Sequence, residues 1–246
     1  MNAIPKPVVL LSGPEDDCPT EPQMRFRLTY EGLLRSVNRD PLDHKPDLLA
    51  LHKHVIRSSF HGQLKQLWET DEFLKQAKVD RHSFPPAQPT DLRPKWATSD
   101  EQRIPLKDAL AGQYVSQNGF NFVPLVTERF NLLCSLSILF LRRDIPGSLI
   151  SAGDIDNRVK TIIDALRPPQ KPNEFIGKDM QPIVPEPDQT PFYCLMEDDK
   201  QVSHLSVETD TLLDPINNEM DLAKVRLIIT VELRPYYITM QNLNFV

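Results

Sequence analysis

The fold class predicted for this 246-residue chain is α+β, and three segments predict it. MRFRLTY (24–30) and KVRLIITVEL (224–233) alternate apolar and polar residues with the period of half-buried strands. LLCSLSILFL (132–141) is nearly all apolar, as expected of a central strand covered on both faces. Between them, apolar residues recur at helical spacing in two places. The expected architecture is a mixed β-sheet of about four strands packed with a long N-terminal helix and a second helix that carries a D-x-D-N motif. One domain over residues 1–246 is expected, with proline-rich insertions at about 79–106 and 168–191.

In chain order, Met24, Phe26, Leu28 and Tyr30 alternate against Arg25, Arg27 and Thr29, giving the first strand. From about Pro46 to Lys78, residues such as Leu48, Leu51, Val55, Phe60, Leu64 and Leu67 mark a long helix, with Pro46 at its start and a break expected near Gly62. Pro85, Pro86, Pro89, Pro94 and Pro105 then interrupt any regular element, predicting an irregular excursion. Phe120 to Val126 reads as a short edge strand, because Pro124 cannot donate to a ladder. After the apolar strand 132–141, Ile155, Val159, Ile162, Ile163 and Leu166 fall on one side of a helix that Pro168 and Pro169 stop. A second proline-rich stretch leads to a strand over Val202–Glu208, and Pro235 ends the last strand.

Composition narrows the function classes. Hydrophobic residues make up 40% and charged residues 25%, the profile of a soluble globular protein. No apolar run is long enough for a membrane span, and the N-terminal residues lack a secretory layout, so the expected compartment is the cytoplasm. Cys18, Cys134 and Cys194 are odd in number and widely spaced, which argues against a disulfide framework or a C-x-x-C zinc site. The net charge of −6 disfavours coating nucleic acid through bulk electrostatics. That average conceals an asymmetry: Arg25–Lys65 holds eight Lys and Arg against four Asp and Glu, a net of +4, while Glu174–Asp221 holds two against twelve, a net of −10.

The chemistry concentrates in GDIDNRVKTIIDAL (153–166) and MEDDKQV (196–202). Asp154 and Asp156 flank Ile155 at a helix mouth, where free N–H groups favour negative charge. Capping explains one carboxylate better than two, and it does not explain Asn157, Lys160 and Asp164 on the same short helix. Asp156, Lys160 and Asp164, spaced i, i+4, i+8, are expected along one polar face. Hard cations such as magnesium or manganese take oxygen ligands, and Asp154, Asp156 and one of Asp198 or Asp199 would supply them. Lys160, one turn from a ligand, would steady a carboxylate or stabilise charge on a phosphate.

Together the two segments resemble the signature of RusA-type Holliday-junction resolvases: Asp154, Asp156, Asn157, Lys160, Asp164, Ala165 and Leu166 match the first part, and Asp198, Asp199 and Gln201 the second. The resemblance implies a RusA-like fold and a magnesium-dependent endonuclease of branched DNA, with Asp154, Asp156 and Asp199 as metal ligands and Lys160 as the essential base-type residue. Asn157, Asp164, Asp198 and Gln201 would support them, and a homodimer is implied. The end of the preceding strand places Arg142 and Arg143 near the motif, much as family members carry basic residues there for DNA phosphates. Arg158, Lys53 and Arg57 complete the expected DNA contacts.

His52, His54 and His61 lack the i, i+4 spacing of a helical zinc motif. With Lys53 and Arg57 they read as a basic, solvent-facing helix surface. His204 reads as a strand residue and Trp68 as buried, while Trp96 could stack on a base. The contrasting functional expectation is a non-catalytic nucleic-acid-binding or regulatory module that acts through a protein partner.

Overall fold

A computed structural model describes residues 24–35, 49–81, 103–143, 154–177, 181–213 and 224–239, with Asn242 and Phe245. Cys18, Trp96 and most of the first proline-rich stretch lie outside them. Strand β1 (Arg25–Leu33) is followed by helices α1 (Ala50–Thr70) and α2 (Glu72–Gln76) and by the short strands β2 (Lys78–Asp80) and β3 (Arg103–Pro105). Next come α3 (Leu106–Gln113), β4 (Tyr114–Val115), β5 (Asn121–Val126) and β6 (Leu132–Arg142). Helix α4 (Asp154–Ala165) precedes β7 (Phe192–Met196), β8 (Val202–Thr211) and β9 (Lys224–Pro235). The class is mixed α+β.

The four-stranded sheet runs β1-β9-β6-β8, with β6 antiparallel to β9 and parallel to β8. β2 pairs with β3, and β4-β5-β7 form a third sheet. On β9 every second residue, Val225 to Leu233, is fully buried, so the alternation legible in the sequence is the alternation of burial. β6 does occupy an interior position of its sheet, paired on both sides. Its two faces differ from the expectation: Leu132, Leu136, Ile138 and Phe140 are buried, whereas Leu133, Leu139 and Leu141 are only half-buried and Ser137 is exposed.

Helix α1 lies between the sheets, touching β1 through the Tyr30–Phe60 ring pair and β7 through Trp68–Tyr193 and His61–Tyr193. Ile56, Phe60, Leu64 and Trp68, at i, i+4 spacing, are buried there. The helix runs through Gly62 without a break. It ends instead at Asp71, whose extended backbone and side-chain bond from the Leu74 N–H (2.9 Å) start α2 as an N-cap. Burying both sides of α1 removes the solvent-facing basic surface expected of it: His61 is buried, its Nδ1 accepting the Tyr193 N–H at 2.9 Å. His54 packs against Phe120 and Phe192, and burial pulls it down to about 4. Trp68 is buried, as expected.

β5 is not an edge strand, because β4 and β7 flank it. Pro124 is tolerated for a local reason: β4 reaches only Asn121 and Phe122, so at Pro124 the ladder exists on the β7 side alone. Gly119, at φ +87°, lets the chain turn between β4 and β5. The second proline-rich stretch is built of short 3-10 turns at Pro172–Phe175 and Pro187–Gln189 that lean on α1, where Gln189 Nε2 donates to Ser58 Oγ.

Candidate functional site

Helix α4 is set in place from its C-terminal end. Ile162, Ala165 and Leu166 enter the core, and the Leu166 carbonyl accepts the backbone N–H groups of Leu195 and Met196. Arg57, only 2% exposed, donates from Nε to the Arg167 carbonyl and from Nη2 to the Asp164 carbonyl, each at 2.9 Å. A cation is thereby placed on carbonyls that a helix end leaves without intrahelical partners. Burial lowers the Arg57 guanidinium to about 10.

Asp164 belongs to this anchor. Its carboxylate meets Lys53 Nζ and Arg167 Nη2, both at 2.8 Å, and Arg167 also reaches Glu174 at 3.6 Å. Burial alone would raise the Asp164 carboxyl, but the Lys53 and Arg167 contacts outweigh it and hold it below its ordinary range. The expected single polar face therefore divides: Asp156 and Lys160 are exposed, while Asp164 is buried against α1. The reason is the helical pitch, since each i+4 step turns the direction by roughly 40°, and two steps carry Asp164 around toward the core. Lys53 and Arg57, expected at a DNA backbone, point inward to hold α4. The expectation missed Arg167 and Glu174, although Arg167 lies i+3 from Asp164, a spacing that favours pairing.

The second acidic segment forms a tight turn before β8. The Asp198 side chain accepts the Lys200 N–H at 3.0 Å, and Gln201 Oε1 accepts the N–H groups of Glu197 (3.1 Å) and Asp198 (3.3 Å). This reciprocal capping box gives Asp198 and buried Gln201 a shaping role. The Lys200 N–H bond holds the Asp198 carboxyl below its ordinary range. Asp199, between them, is left exposed to solvent.

Asp156, Lys160 and Asp199 line one open cleft of about 1010 Å³ between α4 and β8, floored by Ile163, Leu205 and Val207. Asp154 is the first residue of α4, at the helix mouth as expected, but its side chain lies outside the described residues. Among the described residues, no three His, Cys, Asp or Glu side chains come together as a metal-holding group. The donors that share the cleft are hard oxygens beside an ammonium, a set suited to a partly hydrated magnesium or manganese ion. Asn157 and Arg158 are half-buried on the first turns of α4.

The arginines at the end of β6 lie elsewhere. β8 starts opposite Cys134 and ends opposite Arg142, so about eight steps of 3.3 Å, roughly 26 Å, separate Arg142 from the Asp199 end of the sheet. Arg142 is 2% exposed and its carbonyl accepts the Leu212 N–H; Arg143, beside it, is half-buried. The structure thus does not bring Arg142 and Arg143 to the Asp199 turn. His204 is an exposed strand residue on β8. Cys134 and Cys194 are buried free thiols, and no described helix is long and apolar enough to cross a membrane. Comparison with protein-family models, with curated proteins and with solved structures gives no match.

Proposed function

We propose that this protein is a magnesium- or manganese-dependent endodeoxyribonuclease of branched DNA, with a RusA-like fold. The observation that carries the reading is the shared cleft: Asp156 and Lys160 from α4 and Asp199 from a turn 43 positions later line the same open space. Asp156 and Asp199 would hold the cation, with Asp154 as third ligand by its place at the helix mouth. A bound ion of this kind supplies Lewis acidity and a nucleophile active near neutral pH. Lys160, one turn after Asp156, stabilises the negative charge that grows on the phosphate oxygens. Asp198 and Gln201 hold the turn that presents Asp199, and Asp164 holds the helix that presents Asp156 and Lys160; both roles are positioning ones. Two-fold junctions suit a homodimer with two such clefts. A cytoplasmic protein with reduced thiols fits this work.

The test is cleavage of junction, flap, duplex and single-stranded DNA with magnesium or manganese. Wild-type protein is expected to cut at least the branched substrates and to stop in EDTA. Asp156→Asn, at an exposed position, is expected to lose cleavage with an unchanged thermal midpoint. Cleavage that persists in purified Asp156→Asn would remove the site assignment. Metal-independent DNA binding by a wild type that cuts nothing would favour the binding-module reading instead.

A further inference from the structure

A second cavity, of about 520 Å³, opens between the β4–β5 turn, the stretch 168–175 and the acidic turn at Glu197–Lys200. Its volume falls in the range of small-ligand sites, roughly 300–1000 Å³. Flat apolar groups wall it: Tyr114, Phe122, Phe175, Pro168, Pro169 and Pro172. Lys171 and Lys200 balance Glu197 and Asp198 around it, so the lining offers no net charge to draw a phosphate inside. Both carboxylates also have partners already, Glu197 accepting from the Tyr114 hydroxyl and the Glu128 N–H, and Asp198 from the Lys200 N–H.

Besides the exposed Lys171, the polar groups left for a ligand include two held amides. Asn118 donates to the Ile183 carbonyl (3.2 Å) and Gln170 to the Glu197 carbonyl (2.8 Å), which fixes both side chains. Their carbamoyl oxygens accept no hydrogen bond among the described residues. Planar apolar walls with fixed amide edges suit an uncharged heteroaromatic ring. The cavity also adjoins the acidic cleft, because the turn that lines it with Asp198 and Lys200 presents Asp199 and Lys200 to that cleft.

We propose that this cavity takes one unpaired nucleobase of the DNA substrate and so delivers the adjoining phosphate to the cleft lined by Asp156, Lys160 and Asp199. This inference rests on the nuclease reading and names the feature of the substrate that is recognised. A base must leave its stack to enter, and an unpaired base leaves most cheaply. The strand then runs past Lys200, whose exposed pair with Glu128 (2.9 Å) exchanges readily for a phosphate.

The test is binding in EDTA, without turnover, of a duplex that carries a single unpaired 2-aminopurine. Its fluorescence is expected to fall on binding, as the base stacks on the aromatic walls. Affinity is expected to exceed that for the fully paired duplex by about tenfold or more. Val115→Trp, which fills the cavity from a position 55% exposed, and Phe175→Leu, which removes a flat wall, should each erase that preference. If Phe175→Leu does not fold, Val115→Trp decides alone. Equal affinity for paired and unpaired duplexes, or a preference that survives in folded Val115→Trp, overturns the proposal. The two readings separate cleanly: base preference without cleavage keeps the cavity and drops the nuclease, and Asp156-dependent cleavage without base preference does the reverse.

Discussion

Replacing Asp164 by Asn tests whether this residue anchors α4 or works with the exposed carboxylates. The Asp164 side chain is 8% exposed and sits between Lys53 and Arg167, 13% and 10% exposed, at 2.8 Å from each. Removing one partner from a buried ionic group leaves the others uncompensated, which costs about 3–5 kcal/mol. The amide keeps part of the hydrogen bonding, so the lower end, about 3 kcal/mol, is expected. For a chain of this size that corresponds to a midpoint lowered by roughly 6–12 °C. The pH dependence adds a second signature. The folded carboxyl is held below its ordinary value, so its contribution is complete above the unfolded value of about 3.9 and fades as pH falls through the folded value. Urea unfolding followed by circular dichroism should show the full gap between wild type and Asp164→Asn at pH 7 and a narrowing gap below about pH 4. A gap under about 1 kcal/mol at pH 7, or one that does not narrow in acid, would refute the anchoring role.

His54 supplies a test in a different pH window. Burial lowers it from 6.5 to about 4, so the unfolded chain binds a proton that the folded chain resists, and stability should fall as pH drops from about 6.5 toward 4. His54→Phe should flatten that slope, by up to about 3 kcal/mol across the window; an unchanged slope by urea titration would count against the burial of this ring. Gln201→Leu should leave the Glu197 and Asp198 N–H groups without their acceptor, costing about 1–3 kcal/mol and raising the magnesium concentration needed for cleavage. A variant with wild-type stability and magnesium dependence would show that the turn needs no such brace.

What could be read from residues alone was whatever depends on near neighbours in the chain. The alternation of β1 and β9 and the apolar stripe of α4 follow from side-chain periods of 2 and 3.6, which burial imposes directly, and the interior position of β6 follows from its nearly unbroken apolar run. The two acidic runs, D-x-D-N and E-D-D-K-Q, were each legible as short local patterns, while their pairing was expected through the resemblance to the RusA signature. Partnership across the chain was not legible. Lys53 and Arg57 have the composition of a basic surface, and only the packing of α1 against α4, more than a hundred positions later, turns them inward to Asp164 and the helix end. The same holds for Arg142 and Arg143, adjacent in sequence to the acidic motif but carried by β6 to the far end of the sheet from Asp199. The acidic segments determined by themselves which residue types are on offer; tertiary structure decided that Asp156, Lys160 and Asp199 face one cleft while Asp164 holds the scaffold, because burial and helix phase act on positions in space.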